Sequence, residues 1–265
     1  MEIGHLKALW RRREILQTLV RRDLRVRYAR SVLGYLWTIL DPLAMALIYF
    51  MIFAVIFKRP DAGHHPYFLF LLVGLLAWQW FNSSVTETSR ALLAEAKLVR
   101  STSLPRELWV IRVVIAKGVE YFLSLPILVA FTAIYMVRGD TTLNWRLVLI
   151  PIGILLQFLV QVGIGLLLAP LTVLVEDTQR VVRIIMRMAF YCTPIIYTLE
   201  TVPETLRNFL YANPMSGILE LYRAGLFDEP LSLKPIVASV VGTVVFMFIG
   251  STVFGRLERS VLKEI

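Results

Sequence analysis

RRDLRVRYARSVLGYLWTILDPLAMALIYFMIFAVIF, residues 21–57, joins a dense cationic segment to a long apolar run with almost no loop between them. Within 36–57 the only charge is Asp41. As a helix those 22 residues extend about 33 Å, enough to cross a bilayer. A helix of a soluble core seldom reaches such an apolar length, and the pattern recurs along the chain. Lys and Arg beside a membrane helix stay on the cytoplasmic side, so this span is predicted to run from inside to outside.

The rest of the composition agrees. Of 265 residues 57% are hydrophobic, with mean hydropathy +0.69, against roughly 45–50% in a soluble domain. The net charge of +9 fits membrane topology and anionic lipid better than nucleic acid. One cysteine, Cys192, excludes an intrachain disulfide and reads as packing. The first apolar run starts too late and is too long for a cleavable signal peptide.

Working outward, residues 5–28 read as an amphipathic helix. Leu6, Leu9, Trp10, Leu16, Leu19 and Val20 fall at helical spacing with arginines on the other faces, the pattern of a helix lying in the membrane interface. Pro42 falls inside span one, 36–57. Either it kinks a continuous helix or Asp41 caps a shorter one, and the kink is favoured because 42–57 alone is too short to cross comfortably. His64 and His65 sit in the following connection, where a solvated loop is expected rather than a metal site. Span two is 67–85, rich in aromatics.

The loop 87–112 is charged, with a short helix expected near 90–100 and Pro105 in the first turn of the next. Span three, 108–137, contains Lys117 and Glu120. Counting back from its outer end puts both at the inner interface, three apart and able to pair. Span four, 147–175, carries glycines that allow close helix approach. After a polar turn at 176–183, span five is 184–197. Two weakly amphipathic stretches, 204–211 and 216–227, are divided by Asn213-Pro214 and too polar to span, so short outer-side helices are expected. Span six is 235–254. The prediction is an all-α polytopic membrane protein with six spans. Twenty Lys and Arg fall on inner segments and seven on outer ones, giving both termini inside.

No GxxxxGK[ST] phosphate loop, HExxH, CxxC or GxSxG occurs. The bilayer-depth parts of the spans read as nearly free of charge, so there is no evident means of coupling to an ion gradient. Energy for transport is expected from another polypeptide. The same lack argues against a membrane enzyme, which would need clustered Asp, Glu or His, and against a channel, which would need a charge ring or filter loop. Tyr35, Trp37, Tyr49, Phe53, Trp78, Phe81, Tyr121, Tyr191 and Tyr197 are candidates to line a pathway. Flat sugar faces stack on aromatic rings, although Trp and Tyr also belong at membrane interfaces.

The run LVRRDLRVRYARSVLGYLWTILDPLAMALIY (19–49) resembles the start of the first span in ABC-2 type permeases that export polysaccharides, the family of O-antigen, teichoic-acid and capsule exporters. VEDTQRVVRIIMRMAFYCTPIIYTLETVPETLRNFLYANPMSGILELYRAGLF (175–227) resembles that family's second signature. The resemblance implies a multi-pass bacterial inner-membrane subunit. Two copies pair with two ATP-binding subunits, ATP and magnesium being held by those partners and no cofactor by this chain. It implies a coupling helix at 91–104 (Glu95, Lys97, Leu98, Arg100, Ser101), outer gate helices at 203–211 and 216–227, and a glycan cargo on a polyprenyl diphosphate. An actinobacterial cell-wall galactan is one such glycan. Arg25, Arg27 and Arg30 could meet the diphosphate or lipid headgroups. Asp41 departs from the neutral polar residue expected there. A small hydrophobic drug or lipid is the alternative cargo.

Overall fold

The structure, a computed structural model, describes residues 12–29, 31–57, 66–102, 104–227 and 231–264. The expected start of the interface helix, Arg30 and the His64-His65 pair lie outside the described residues. Among those described there is no β-strand, and the chain is built from eleven α-helices. They are α1 (Arg13–Tyr28), α2 (Trp37–Phe50), α3 (Tyr67–Thr88), α4 (Ala91–Ala94), α5 (Ala96–Ser101), α6 (Glu107–Val137), α7 (Ile150–Leu174), α8 (Thr178–Tyr191), α9 (Glu204–Tyr211), α10 (Pro214–Arg223) and α11 (Leu233–Glu264).

Five rods are long and apolar enough to cross a membrane: Gly34–Ile56, Tyr67–Thr88, Glu107–Val137, Trp145–Leu174 and Leu233–Glu264. Each overlaps an expected span. Pro42 lies inside α2, so the helix is continuous there and not capped at Asp41. The rod extends through one wider π-type turn, Met51–Ile56.

The expected span at 184–197 is different. Its helix is Thr178–Tyr191, 14 residues, about 21 Å and too short to cross a bilayer core alone. It starts earlier because Thr178 directly follows the turn at the end of α7. It stops at Tyr191, because the Thr193-Pro194 pair leads the chain into a tight non-helical turn. Among the described residues there are five long helices and one short leg where six full spans were expected.

α3 is the centre. It is apolar on all sides, and such a helix is stable only when surrounded. Seventeen of its 22 residues are buried. α2, α6, α7, α8 and α10 pack around it. A tight seam joins α7 and α11. A Cβ on Gly250 would fall 2.1 Å from the Gly163 carbonyl oxygen, and one on Gly163 would fall 2.7 Å from the Met247 nitrogen. Only glycine permits that approach of backbones. Gly163 meets 246–247 and Leu166 meets Gly250, so α7 and α11 run parallel. Two parallel rods in succession require the intervening chain, 175–232, to climb back to the starting level.

α10 makes the turn at the top of that climb. Asn213 caps it, accepting from Met215 N–H at 3.0 Å, with Pro214 in its first turn. The Asn213 amide also donates to the Cys192 carbonyl (3.1 Å) and Thr193 Oγ1 (2.8 Å). Buried Arg223 donates to the carbonyls of Pro194 (2.7 Å), Ile195 (3.1 Å) and Phe70 (3.3 Å), and lies over the Phe70 ring. Tyr222 donates to Gln157 Oε1 (2.8 Å), whose amide donates to the Ala77 carbonyl (2.8 Å). These bonds tie α3, α7, α10 and the end of α8 into one body.

Candidate functional site: a charged brace and an aromatic groove

One end of the bundle carries a dense ion-pair network. α1 lies across α6, with Val20 buried. Arg112, almost fully buried, pairs through Nε with Asp23 (3.0 Å) and through Nη1 with Glu95 (3.3 Å). Arg22 also bonds Glu95. One turn on, Arg27 holds Glu87 (2.5 Å) and Glu120, and Lys117 holds Glu87 (3.1 Å) and Glu120 (3.0 Å). The Lys117–Glu120 pair expected from spacing therefore forms within a larger cluster. Burial raises the Asp23 carboxyl above its ordinary value, against the pull of Arg112 and Arg22. Folding therefore makes Asp23 easier to protonate than in the unfolded chain, and this group's own contribution to stability is lost as pH rises through that raised value.

Glu95, expected on the coupling helix, is half-buried and engaged by Arg22 and Arg112; it faces inward. The expected single helix 91–104 is two short ones, α4 and α5, broken at Glu95. Val99 anchors α5 in an apolar cluster with Leu92 and Trp109, and Leu98 packs against it. Lys97, Arg100 and Ser101 are exposed. Arg27 is committed to two carboxylates, whereas Arg25 is exposed with no ion pair among the described residues.

The second feature is a groove of about 590 Å³ between α2, α3 and α8. Its wall combines rings (Tyr49, Trp78, Phe190, Tyr191) with polar groups (Asp41, Gln79, Asn82, Thr86, Arg183, Arg187). Tyr49 stacks on Phe190 with centroids 5.7 Å apart, and Trp78 meets the same ring edge-on at 5.7 Å. Gln79 donates to Asp41 Oδ2 at 3.3 Å. Trp78 and Gln79 stand halfway along α3, so charge and amide groups gather at the mid-length of a rod fit to span a membrane. Arg183 and Arg187, counted from sequence with the inner-side charges, line this same groove.

Of the candidate aromatics, the groove collects Tyr49, Trp78 and Tyr191. Tyr197 reaches them indirectly, donating to the Tyr191 carbonyl at 3.0 Å. Phe53 stacks on Tyr49 one turn away. Phe81 lines an apolar cavity behind α8. Tyr121 is buried in the core between Trp80 (5.0 Å) and Tyr222 (6.3 Å), away from the groove. Tyr35 pairs with Tyr28 near α1, and Trp37 is exposed at the start of α2. Phe190, Gln79, Asn82, Arg183 and Arg187 were not singled out from sequence. A Gln and an Asn three apart inside an otherwise apolar span were the available signal.

A sequence model of the family described as "ABC-2 type transporter" matches residues 14–227. The chain is 31% identical to an O-antigen export system permease protein, RfbA, of Myxococcus xanthus, covering 94% of each. It is 30% identical to RfbA of Klebsiella pneumoniae, covering 92% of each. It is 26% identical to the polysialic acid transport protein KpsM of Escherichia coli, covering 93% of this chain and 95% of that one.

Proposed function

The chain belongs to the ABC-2 type transporter family, and from that premise we propose that it is the membrane-spanning subunit of an ATP-driven exporter of lipid-linked polysaccharide. The observation that carries this reading is the groove. Rings offer flat faces to sugar C–H surfaces, while Gln79, Asn82 and the tyrosine hydroxyl groups offer hydrogen bonds to sugar hydroxyl groups. That is a surface for a hydrated, stackable polymer.

In this reading two copies face each other and the grooves form the sides of one conduit. The short leg α8 supplies the sixth crossing with the turn that follows it, which leaves both termini inside. α4 and α5 meet the ATP-hydrolysing partner through Lys97, Arg100 and Ser101. Movement there passes through Glu95 to Arg22 and Arg112, and so to α1 and α6. Helices α9 and α10 sit at the outer mouth. The ion pairs make this a stiff lever, because displacing α5 alone would strip the buried Arg112 of a partner.

Depletion of the protein in its own cell tests the proposal. Lipid-linked glycan should accumulate in the cytosolic leaflet while surface glycan falls. Normal lipid-linked glycan, with sensitivity to hydrophobic drugs instead, would overturn it in favour of a drug or lipid exporter.

A further inference from the structure

α11 runs unbroken for 32 residues, Leu233–Glu264, about 48 Å as a straight helix. A bilayer core takes about 20 residues of a helix. The segment after Phe254, with Arg256, Glu258, Arg259 and Lys263, therefore continues past the membrane at the end of the bundle that carries the charged brace. The buried residues of α11 are Pro235, Ser239, Thr243, Gly250, Phe254 and Val261. They follow at intervals of four or seven, which keeps them on one face. A single buried stripe thus runs the length of the helix, and it meets a different part of the molecule at each level.

At the end away from the brace, Ser239 Oγ donates to the carbonyl of Pro214, in the first turn of α10, at 2.5 Å. There a Cβ on Gly217 would fall 2.1 Å from the Pro235 carbonyl oxygen. Further along, Gly250 lies against Gly163 of α7. At the charged end, Phe254 and Val261 belong to one apolar cluster with Leu92 of α4, Val99 of α5 and Trp109 of α6. Glu258 pairs with Arg106, in the link between α5 and α6. Backbone lies directly on backbone at two of these levels, where no side chain can yield, so α11 moves with α7 and α10 as one piece.

Resting on the exporter reading, in which α4 and α5 meet the ATPase, we propose that Glu258 and Val261 are positioning residues for those two helices, and that α11 is a connecting rod that carries their displacement to α10. The ion-pair brace ends where it starts, joining the break between α4 and α5 to α1 and α6. The stripe on α11 instead spans about 33 Å from Val261 to Ser239, the depth of a bilayer core. Close-packed carbon transmits a shift because a gap opened beside Val99 would forfeit its contacts and hold no water. At the far end the Asn213 amide, which caps α10, donates to the Cys192 carbonyl at 3.1 Å. Cys192, the only cysteine, therefore reports on the arrival of that shift.

The test uses the whole complex with its ATPase in phosphatidylcholine nanodiscs. It reads the rate of N-ethylmaleimide labelling of Cys192 with and without nucleotide trapped by vanadate, and measures the trapped nucleotide in each sample. In the parent the two rates should differ. Glu258→Arg sets two cations face to face and should abolish the difference while nucleotide is still trapped. The exchanged pair, Arg106→Glu/Glu258→Arg, should restore it. Arg259→Glu reverses a charge on the exposed side of the same turn and should leave it intact. Where the reversal prevents assembly, Glu258→Gln is read in its place and should give a partial loss. The pair is partly exposed, so thermal unfolding should hardly move. The proposal is overturned by equal rates in the parent, by a difference that survives loss of the pair, by an equal loss in Arg259→Glu, or by an exchanged pair that restores nothing. ATPase stimulation by lipid-linked glycan in the parent complex reads the exporter separately. Stimulation without a Cys192 response removes the rod and leaves the exporter standing. A Cys192 response without stimulation leaves the rod in a transporter of another cargo.

Discussion

Arg223→Met should loosen α10 from the rest of the bundle. Methionine nearly fills the side chain's volume but donates nothing. Three backbone carbonyls, those of Pro194, Ile195 and Phe70, then lose a charged donor at 2.7, 3.1 and 3.3 Å. Hydrogen bonds from a charged group contribute about 1.5–3 kcal/mol each. The contact with the Phe70 ring, 3.5 Å from guanidinium carbon to centroid, adds about 0.5–2 kcal/mol. Relief of the buried cation's desolvation returns several kcal/mol. The balance is a loss of about 3 kcal/mol, or about 6–12 °C in Tm for a chain of this size. Thermal unfolding of the purified complex, followed by tryptophan fluorescence, reads this. Limited proteolysis should meanwhile open the chain around 195–213, which Arg223 pins. Arg223→Lys keeps the charge but cannot reach all three carbonyls, and should fall between. If Arg223→Met unfolds within about 2 °C of the parent and resists protease equally, the three-way anchor is not what holds α10.

Gly250→Ala places a methyl group against the Gly163 carbonyl and must part α7 from α11, costing about 1–3 kcal/mol; Gly255→Ala, where a Cβ meets nothing within 4 Å, is the control, read by thermal unfolding. Glu95→Ala leaves nearly buried Arg112 with Asp23 alone and, because Glu95 and Arg22 are partly exposed, should cost about 1–2 kcal/mol. Its larger effect should be on ATPase stimulation by lipid-linked glycan, which should fall while basal hydrolysis by the partner persists. Tyr191→Ala removes a ring that is 65% exposed, so stability should stay within about 0.5 kcal/mol while surface glycan declines.

The long rods were legible because twenty apolar residues in a row have one inexpensive environment. The charge bias around them gave the expectation of which ends share a side. Asn213-Pro214 was equally readable, since a capping side chain followed by proline at the first helical position is a local signal. The ion-pair brace was not. Arg22, Arg27 and Arg112 were counted for topology, but their pairing with Glu87, Glu95 and Glu120 depends on α1 folding back across α6, a contact spanning up to 93 residues for Arg27 and Glu120. The groove was half legible. Tyr49, Trp78 and Tyr191 were named for their chemistry, but nothing local separates them from Tyr121, which the same chemistry selected and the core absorbed. Arg183 was read as part of a polar turn and Arg187 as part of a span, and nothing local showed that both line the groove. α8 starts immediately after a turn at the charged end and carries both arginines upward from there.

The same arginines show why the short leg is short. A helix with Arg180, Arg183 and Arg187 on one face cannot run for twenty residues surrounded by lipid, because each guanidinium at depth would be uncompensated. Yet the parallel run of α7 and α11 requires the chain to climb between them. The fold meets both demands by seating α8 against α3, where Val182 and Met186 are its only buried residues. Arg183 and Arg187 line the groove with the amides of Gln79 and Asn82 of α3, Arg180 stays exposed beside Asp177, and the helix ends as soon as Asn213 and Arg223 can take up the backbone that follows. A leg held this lightly has room on both sides, and those two rooms are the groove and the apolar cavity. On the proposed reading, the device that solves the topology also creates the conduit. Lengthening α8 by replacing Thr193-Pro194 with two alanines would extend the helix into the space now bridged by Asn213 and Arg223. If that variant exports glycan as the parent does, the short leg is a topological accident and not part of the path.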